Sequence, residues 1–235
     1  MWKPSVVILI IAAVLIMISG FVADRTLAEQ HLPWRKLNPD VPPGFATKGQ
    51  LLRLALSPSK TCMDMARDTL SLKSVPSKPH KPNRTCGWNI ARSVSGSTSA
   101  ELVPTNTDMQ CPLSIGSYIW MRELDDLAQK HLGSDILNIH HFGTYSCRRQ
   151  NGNSSGEWSE HAFANAWDIT AFELSDGRMI SIQKDWQGDN KARKKFLRAA
   201  RNSACKIFRV TLSPDFNAAH HDHFHVDMGP NRSCR

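Results

Sequence analysis

An uninterrupted apolar run near the N-terminus limits what the rest of the chain can fold into. Ser5 to Ala23 contains no charged residue, and Lys3 precedes it. A helix needs about 20 apolar residues to cross a bilayer, so residues 1–23 are predicted to form an uncleaved membrane anchor. The alternative is a cleavable signal peptide, which is disfavoured because a cut after Ala23 places Phe21 where a small residue is required. A buried core helix is disfavoured by the position at the very start of the chain.

Six cysteines follow the apolar run, and none of them forms a Cys-x-x-Cys pair. An even number of dispersed cysteines without metal-type spacing is typical of disulfides in an oxidising compartment. The candidates are Cys62, Cys86, Cys111, Cys147, Cys205 and Cys234. Pairing between sequence neighbours, 62–86, 111–147 and 205–234, is predicted because it closes three local loops. A reduced, cytosolic protein is the alternative.

The charges that flank the apolar run do not select an orientation in the membrane. Lys3 lies on one side, whereas Arg25, Arg35 and Lys36 lie on the other, so the positive-inside rule does not favour an external domain. The six cysteines, in contrast, do favour an external domain. The predicted location is therefore the cell inner membrane, crossed once, with the soluble domain in the periplasm.

Proline-rich and polar residues 24–49 predict a stiff linker, and residues 50–235 are predicted to form one domain. A helix is predicted from Pro112 to a stop at Gly133, and Asp189 is the predicted cap of a second helix. Apolar runs on either side of residues 175–178 predict a hairpin. Strands separated by helices, with at least one hairpin, predict an α+β fold with a largely antiparallel sheet and flanking helices.

Two clusters of histidine and carboxylate side chains carry the chemistry: SEHAFANAWD at 159–168 and HHDHFHVD at 220–227. Imidazole and carboxylate are the ligands of zinc sites that lack thiolates. On a straight helix His161 and Asp168 would lie about 10.5 Å apart along the axis. One ion with ligand bonds of about 2 Å cannot span that distance, so the first cluster is expected to fold back in a tight turn.

Strand alternation in the second cluster places His223, His225 and Asp227 on one face. His225 is a natural third ligand, and His223 can approach a metal-bound water without being a ligand. Three protein ligands leave one position open, which is the layout of a catalytic zinc site. The alternatives are packed core histidines, or a surface cluster that binds metal incidentally.

Residues 159–168 match the pattern S-x-H-x-x-G-x-A-x-D, with Ala164 in place of the glycine, and His223-x-His225 follows. This combination resembles the zinc peptidases of the D-Ala-D-Ala carboxypeptidase, murein endopeptidase and Hedgehog-fold group. The wider chain, from about Thr47 to Arg235, resembles the bacterial extensin-like C-terminal domain family. The further matching segments are Cys86-Gly87, Cys111-Pro112-Leu113, Gly143 to Arg148 (GTYSCR), Gly177-Arg178, Trp186, and Asp215 to Asp227.

The resemblance implies a Hedgehog/DD-peptidase-like fold and hydrolysis of peptide bonds in peptidoglycan. It implies that Zn2+ is bound by His161, Asp168 and His225. It also implies that His223 is a base or transition-state partner, that His220 lies close by, and that Arg148 binds a substrate carboxylate or carbonyl. The carboxypeptidases have glutamate where His223 stands, whereas the murein endopeptidase branch has histidine, so the bond that is cleaved stays open.

The balance of charge restricts the partners. A formal charge of +8 and a pI of about 9.4 suit an anionic polymer, and peptidoglycan or another cell-wall polymer is the predicted partner. Nucleic acid is not predicted, because no recognised motif or basic–aromatic stripe is present. The alternative function is a non-catalytic cell-wall-binding domain that retains the fold.

Overall fold

A computed structural model of the chain describes residues 4–57, 59–69, 71–97 and 99–235. Within these residues there are six α-helices and ten strands. The helices are α1 (Pro4–Thr26), α2 (Thr47–Leu56), α3 (Ser59–Asp68), α4 (Cys111–Leu132), α5 (Ile182–Asp185) and α6 (Lys191–Ile207). The strands are β1 (Leu72–Pro76), β2 (Arg92–Ser97), β3 (Glu101–Val103), β4 (Thr107–Met109), β5 (Ile136–Gly143), β6 (Ala166–Leu174), β7 (Met179–Ser181), β8 (Val210–Leu212), β9 (Phe224–Asp227) and β10 (Ser233–Cys234).

The N-terminal helix α1 is apolar and exposed along its length. An 18-residue window within Ser5–Thr26 reaches a mean hydropathy of 3.1, and none of that window is buried. A helix of this length can cross a bilayer. Helix α1 therefore has the length and composition of a membrane anchor or of a signal sequence. The first three residues of the predicted anchor lie outside the described part of the chain.

The strands form one sheet with the order β1-β2-β3-β5-β6-β9-β8-β10, in which β4 also pairs with β2 and β7 with β6. Strand β3 is parallel to β5 and β10 is parallel to β8, whereas the other pairs between described strands are antiparallel. The predicted α+β class is confirmed, and the sheet is mixed. The predicted hairpin is the β6–β7 pair.

Helix α4 forms the centre of the core. It starts with Pro112 in its first turn and ends at Gly133, whose φ of 68° is the left-handed conformation of a helix C-cap. The ring of Trp120 makes edge-to-face contacts with Trp167 and Phe208, each at 5.9 Å. These contacts bury α4 against β6 and the end of α6 and confirm the predicted helix.

The cap of α6 is Asn190 rather than the predicted Asp189. The Asn190 Oδ1 atom accepts hydrogen bonds from the backbone N–H groups of Ala192 at 3.0 Å and Arg193 at 3.1 Å. An amide oxygen caps a helix as well as a carboxylate does, so residue type alone did not show whether Asp189 or Asn190 is the cap.

Of residues 24–49, predicted to be a linker, 24–26 belong to α1 and 47–49 to α2, and the residues between them fold back against the domain. Leu32 and Leu37 are buried, and the Gln50 side-chain amide donates to the backbone carbonyls of Glu29, Leu32 and Arg35 at 3.0–3.3 Å. The prolines keep this segment irregular, but its two buried leucines supply apolar surface that is stabilised by burial. Helix α2 then begins at Thr47.

All six cysteines form disulfides, as predicted, but two of the three predicted pairings are wrong. The bonds are Cys62–Cys111, Cys86–Cys147 and Cys205–Cys234. Their Cα–Cα distances of 5.6–5.9 Å are ordinary for disulfides. The neighbour pairing failed because α3 packs against α4, which brings Cys62 to Cys111 and leaves Cys86 for Cys147.

Candidate metal centre and active site

A tight turn brings the two ends of the first cluster together. The Ser159 side chain accepts a hydrogen bond from the His161 backbone at 3.3 Å and caps a short 3-10 helix over Glu160–Phe163. Ala164 ends this helix with a φ of 54°, in the left-handed region that glycine adopts most easily. Strand β6 starts two residues later, so Asp168 is placed beside His161, as the expected fold-back requires.

The second cluster lies on the neighbouring strand. Strand β9 pairs antiparallel with β6, and His225 is directly opposite Asp168 in the register. Phe224 and Val226 are fully buried in the core on the other face of β9. The alternation predicted for this strand is therefore present, and it directs His225 toward the first cluster.

His161, Asp168 and His225 form a group that could hold a metal ion, because their donor atoms lie within 4.8 Å of one another. The His161 Nε2 atom is 3.0 Å from Asp168 Oδ2. The His225 Nδ1 atom is 2.9 Å from Asp168 Oδ1 and 3.3 Å from His161 Nε2. The three side chains selected from the sequence thus meet at one point.

Both histidines of this group are fixed through their remaining nitrogen atoms. The His161 Nδ1 atom is 3.2 Å from the backbone carbonyl of Thr144, and the His225 Nε2 atom is 3.0 Å from Asp227 Oδ2. Such contacts hold the far N–H of a metal-ligating imidazole and set its tautomer. The atoms left to face Asp168 are Nε2 of His161 and Nδ1 of His225.

The electrostatics of the group follow from burial and pairing. Burial opposes ionisation of Asp168, but its hydrogen bonds with His161 and His225 hold its pKa well below the usual range. Burial also works against the charged form of His225, yet the bonds to Asp168 and Asp227 raise its pKa to about 9. Without a metal, the group is thus stabilised by an imidazolium beside a carboxylate.

His223 and His220 lie beside this group. The His223 Nε2 atom is 3.6 Å from Asp168 Oδ1, and its Nδ1 atom is 2.9 Å from Asp222 Oδ1. The His220 ring centroid lies 5.1 Å from that of His223 and 5.8 Å from that of His225. Burial, with the electrostatic effect of the neighbouring His223 and His225 rings, lowers the pKa of His220 to about 4.

Arg148 lies on the wall of the cavity that contains these histidines. The cavity measures about 590 Å³ and is lined by Arg148, His161, His220 and His223 among others. The Arg148 side chain is exposed. Among the residues that the structure describes, none accepts a hydrogen bond from its guanidinium. The predicted site residues therefore share one cavity, and the arginine is accessible to a bound molecule.

Sequence reasoning assigned no role to three groups that orient the histidines. Asp227 and the Thr144 carbonyl contact the two ligand candidates, and Asp222 contacts His223. The alternation of β9 placed Asp227 on the face of His225 and could have indicated its contact. The Thr144 carbonyl carries no sequence signal, because every residue has one.

The geometry defines the class of protein to which this chain belongs. It is an α+β domain in which two histidines and an aspartate form a largely buried group, with two further histidines beside it. Residues 60–235 match the family described as Extensin-like protein C-terminus, and the chain belongs to this family. No match was found among curated proteins or among solved structures.

Proposed function

We propose that this protein is a membrane-anchored, zinc-dependent hydrolase that cleaves peptide bonds of peptidoglycan in the periplasm. The observation that carries the proposal is the convergence of His161, Asp168 and His225, with His223 directly beside them. The proposal includes a fold like that of the Hedgehog and DD-peptidase group, on the basis of the sequence resemblance.

The donor set fits a zinc ion. Tetrahedral bonds of about 2.0–2.2 Å place ligand atoms roughly 3.3–3.6 Å apart. The two imidazole nitrogens are 3.3 Å apart, and each lies 2.9–3.0 Å from a different oxygen atom of Asp168, so one donor atom from each residue is within reach of one ion. Both histidines already have the second contact that zinc-bound histidines usually have. A bound zinc ion would polarise the scissile carbonyl and activate water.

His223 is proposed as the proton carrier. Its Nδ1–H donates to Asp222, which leaves Nε2 free to accept a proton. The Nε2 atom faces Asp168 Oδ1 at 3.6 Å, so a proton taken up there would lie beside the group proposed to hold the metal. The same atom can then return the proton to the leaving amine.

Arg148 and His220 are proposed to position the substrate. A guanidinium binds a carboxylate or carbonyl through parallel N–H donors, and the exposed Arg148 guanidinium lies in the same cavity as His223. His220 has its Nδ1 2.7 Å from Asn217 Oδ1. This contact holds the ring next to His223, and with its lowered pKa it serves as a neutral hydrogen-bonding group.

Three further observations support peptidoglycan as the substrate and the periplasm as the location. The formal charge of +8 suits an acidic polymer. Three disulfides suit an oxidising compartment. Helix α1 is long enough to hold the domain at the membrane that faces the cell wall.

The test uses the full-length chain, purified in detergent, with bound metal measured by mass spectrometry. We expect about one zinc per chain, and new muropeptides when the protein is incubated with isolated sacculi. The His161→Ala variant should lose both. His140→Ala is the matched control, because His140 contacts Glu173 on the same sheet but outside the group, and it should retain both.

Zinc content that is unchanged in His161→Ala would contradict the assignment of the metal centre. Full zinc occupancy with sacculus binding but no product, across several cross-link types, would support the alternative of a non-catalytic cell-wall-binding domain.

A further inference from the structure

The segment that follows α1 is fastened to the end of that helix. The Asp24 carboxylate, in the last turn of α1, accepts a hydrogen bond from Trp34 Nε1 at 3.0 Å and from Arg35 Nε at 2.7 Å. Trp34 is therefore held beside the point where α1 ends. If α1 spans a bilayer, this point lies at the level of the lipid head groups.

Large apolar side chains are exposed in the residues that follow α1. Among the large apolar side chains of the described residues outside α1, the two most exposed are Phe45, at 90%, and Leu56, at 80%, while Trp34 and Leu27 are each about half exposed. The Phe45 backbone N–H donates to His31 at 3.2 Å, and the next N–H donates to the Gln30 carbonyl. These bonds hold Phe45 against the turn that follows α1.

Basic side chains accompany these apolar ones. Arg25, Arg35, Lys36 and Arg53 lie within residues 24–57, and the Arg53 guanidinium donates to the carbonyl of Pro33, directly before Trp34. The carboxylates of this segment have partners. Asp24 is bonded to Arg35, Glu29 accepts from Asn38, and Asp40 accepts from Tyr118. Only the Asp24–Arg35 contact pairs opposite charges, because Asn38 and Tyr118 are neutral donors. Residues 24–57 contain five Lys and Arg side chains against three Asp and Glu, so the segment keeps a net positive charge.

Exposed aromatic rings with basic residues are the composition of surfaces that lie in the head-group region of a bilayer. Anionic lipids attract the cations, and the rings enter the boundary between head groups and acyl chains. A water-facing surface offers no such stabilisation for a side chain as exposed as that of Phe45.

We propose that Leu27, Trp34, Phe45 and Leu56, with Arg25, Arg35, Lys36 and Arg53, form a docking surface for anionic lipid. We name it the membrane collar. It gives the domain a second attachment to the bilayer besides α1 and so limits how the domain can turn. The inference rests on the membrane-anchor part of the proposed function and is independent of zinc and of hydrolysis.

The experiment uses the full-length chain in vesicles of phosphatidylethanolamine and phosphatidylglycerol. A Trp2→Phe change removes the tryptophan that precedes α1 in the sequence. Of the tryptophans that remain, Trp34 is exposed, Trp158 is half-buried and the others are buried. Lipids brominated near the head group are expected to quench the fluorescence more than lipids brominated near the chain ends. The difference should disappear with Trp34→Phe and persist with Trp158→Phe, the matched control.

Two further arms test the chemistry of the collar. Replacing phosphatidylglycerol with phosphatidylcholine, or introducing Lys36→Gln and Arg53→Gln together, should reduce the shallow quenching. The intact mass, measured in parallel, shows whether α1 is retained. Loss of α1 would contradict the anchor itself and remove the basis of the collar.

A retained α1 with Trp34 still open to aqueous iodide would overturn the collar alone. Trp34 shielded from iodide but not quenched by brominated lipid would also overturn it, because a protein contact would then cover this surface.

Discussion

The His225 side chain lies between two carboxylates, with Asp168 on its Nδ1 side and Asp227 on its Nε2 side. Both stabilise the imidazolium, which is why its pKa rises to about 9 although burial works in the opposite direction. A metal at Nδ1 requires the neutral ring. Proton binding and metal binding therefore compete at a single atom.

This competition predicts proton release on zinc binding. At pH 7 the metal-free protein holds a proton on His225, so binding one zinc should release about one proton, and the affinity for zinc should rise as the pH approaches 9. The stability of the metal-free domain should change in the opposite sense. The contribution of His225 is fully present below the ordinary histidine pKa of 6.5 and is lost as the pH rises through about 9. Calorimetric titration in buffers of different ionisation enthalpy measures the protons, and release of none would contradict the pairing.

His223 separates a catalytic role from a ligand role. Replacement of His223 by Ala removes the Nε2 atom that faces Asp168 but leaves the three ligand candidates, so zinc should be retained. General acid–base groups contribute about 10²–10⁴-fold, so hydrolysis of sacculi should fall by at least about 100-fold. Metal content and the rate of muropeptide release are the measurements. Loss of zinc in this variant would make His223 a ligand.

Phe224 provides the control for His223. It is the next residue on β9, but its ring is fully buried on the opposite face, 5.4 Å from the ring of Trp186. Phe224→Ala should cost about 3–5 kcal/mol of stability. The molecules that remain folded should keep their activity, because no contact with the histidine group is removed.

At the scale of single residues, the sequence was informative where chemistry and periodicity coincide. The alternation of a strand is strict, so the sequence alone placed His223 and His225 on one face. The approach of His161 to Asp168 was predicted because both side chains must reach one metal ion. The Thr144 carbonyl and the Asp222 carboxylate depend on where loops return, which periodicity does not encode.

At the scale of elements, the turn that carries His161 is held by backbone hydrogen bonds from separate parts of the chain. The Ala162 carbonyl accepts from Gly87, and the His161 carbonyl accepts from Ser146. Gln110 donates to the carbonyl of Ala164. The position of His161 thus depends on loops that are far away in the sequence, and the Cys86–Cys147 disulfide joins two of these loops.

Gly87 is expected to be essential to this arrangement. Its φ is +93°, and a Cβ atom there would lie 1.9 Å from the His80 carbonyl oxygen. Gly87→Ala should therefore cost roughly 3 kcal/mol or more and weaken zinc binding, because the displaced loop supports the His161 turn. Gly156→Ala is the matched control. Its φ of +97° is similar but nothing lies within 4 Å, so it should cost only about 1–2 kcal/mol. Equal losses in denaturant unfolding would contradict the steric argument.

Elements with a strong local signal were predicted from sequence, whereas their neighbours in space were not. Helix α4 has an apolar stripe and a glycine stop, and the β6–β7 hairpin has a glycine-bearing turn. The pairing of Cys62 with Cys111 follows instead from the packing of α3 on α4. The two buried leucines, Leu32 and Leu37, are separated by Pro-Trp-Arg-Lys and gave no periodic signal that residues 24–49 would join the domain.

At the scale of the whole molecule, a folded domain follows an exposed apolar helix with no free linker between them. The sequence predicted both parts, whereas the orientation in the membrane was predicted from the cysteines and not from the flanking charges. Of the cations that follow α1, Arg35 is paired with Asp24, whereas Arg25 lies over the ring of Phe21 at 5.2 Å and keeps its charge.

The last prediction concerns the fate of α1. The protein should remain in the membrane fraction after a carbonate wash, and its mass should be the 26.3 kDa of the full chain. Protease added to spheroplasts should digest the domain, because a disulfide-bonded domain is expected outside the cytoplasm. A change of Leu9 and Leu15 to Arg, at two exposed positions within α1, should prevent insertion, because each charge costs about 2.5–3.5 kcal/mol at a membrane-helix centre. A soluble chain that lacks the first 23 residues would instead identify α1 as a signal sequence.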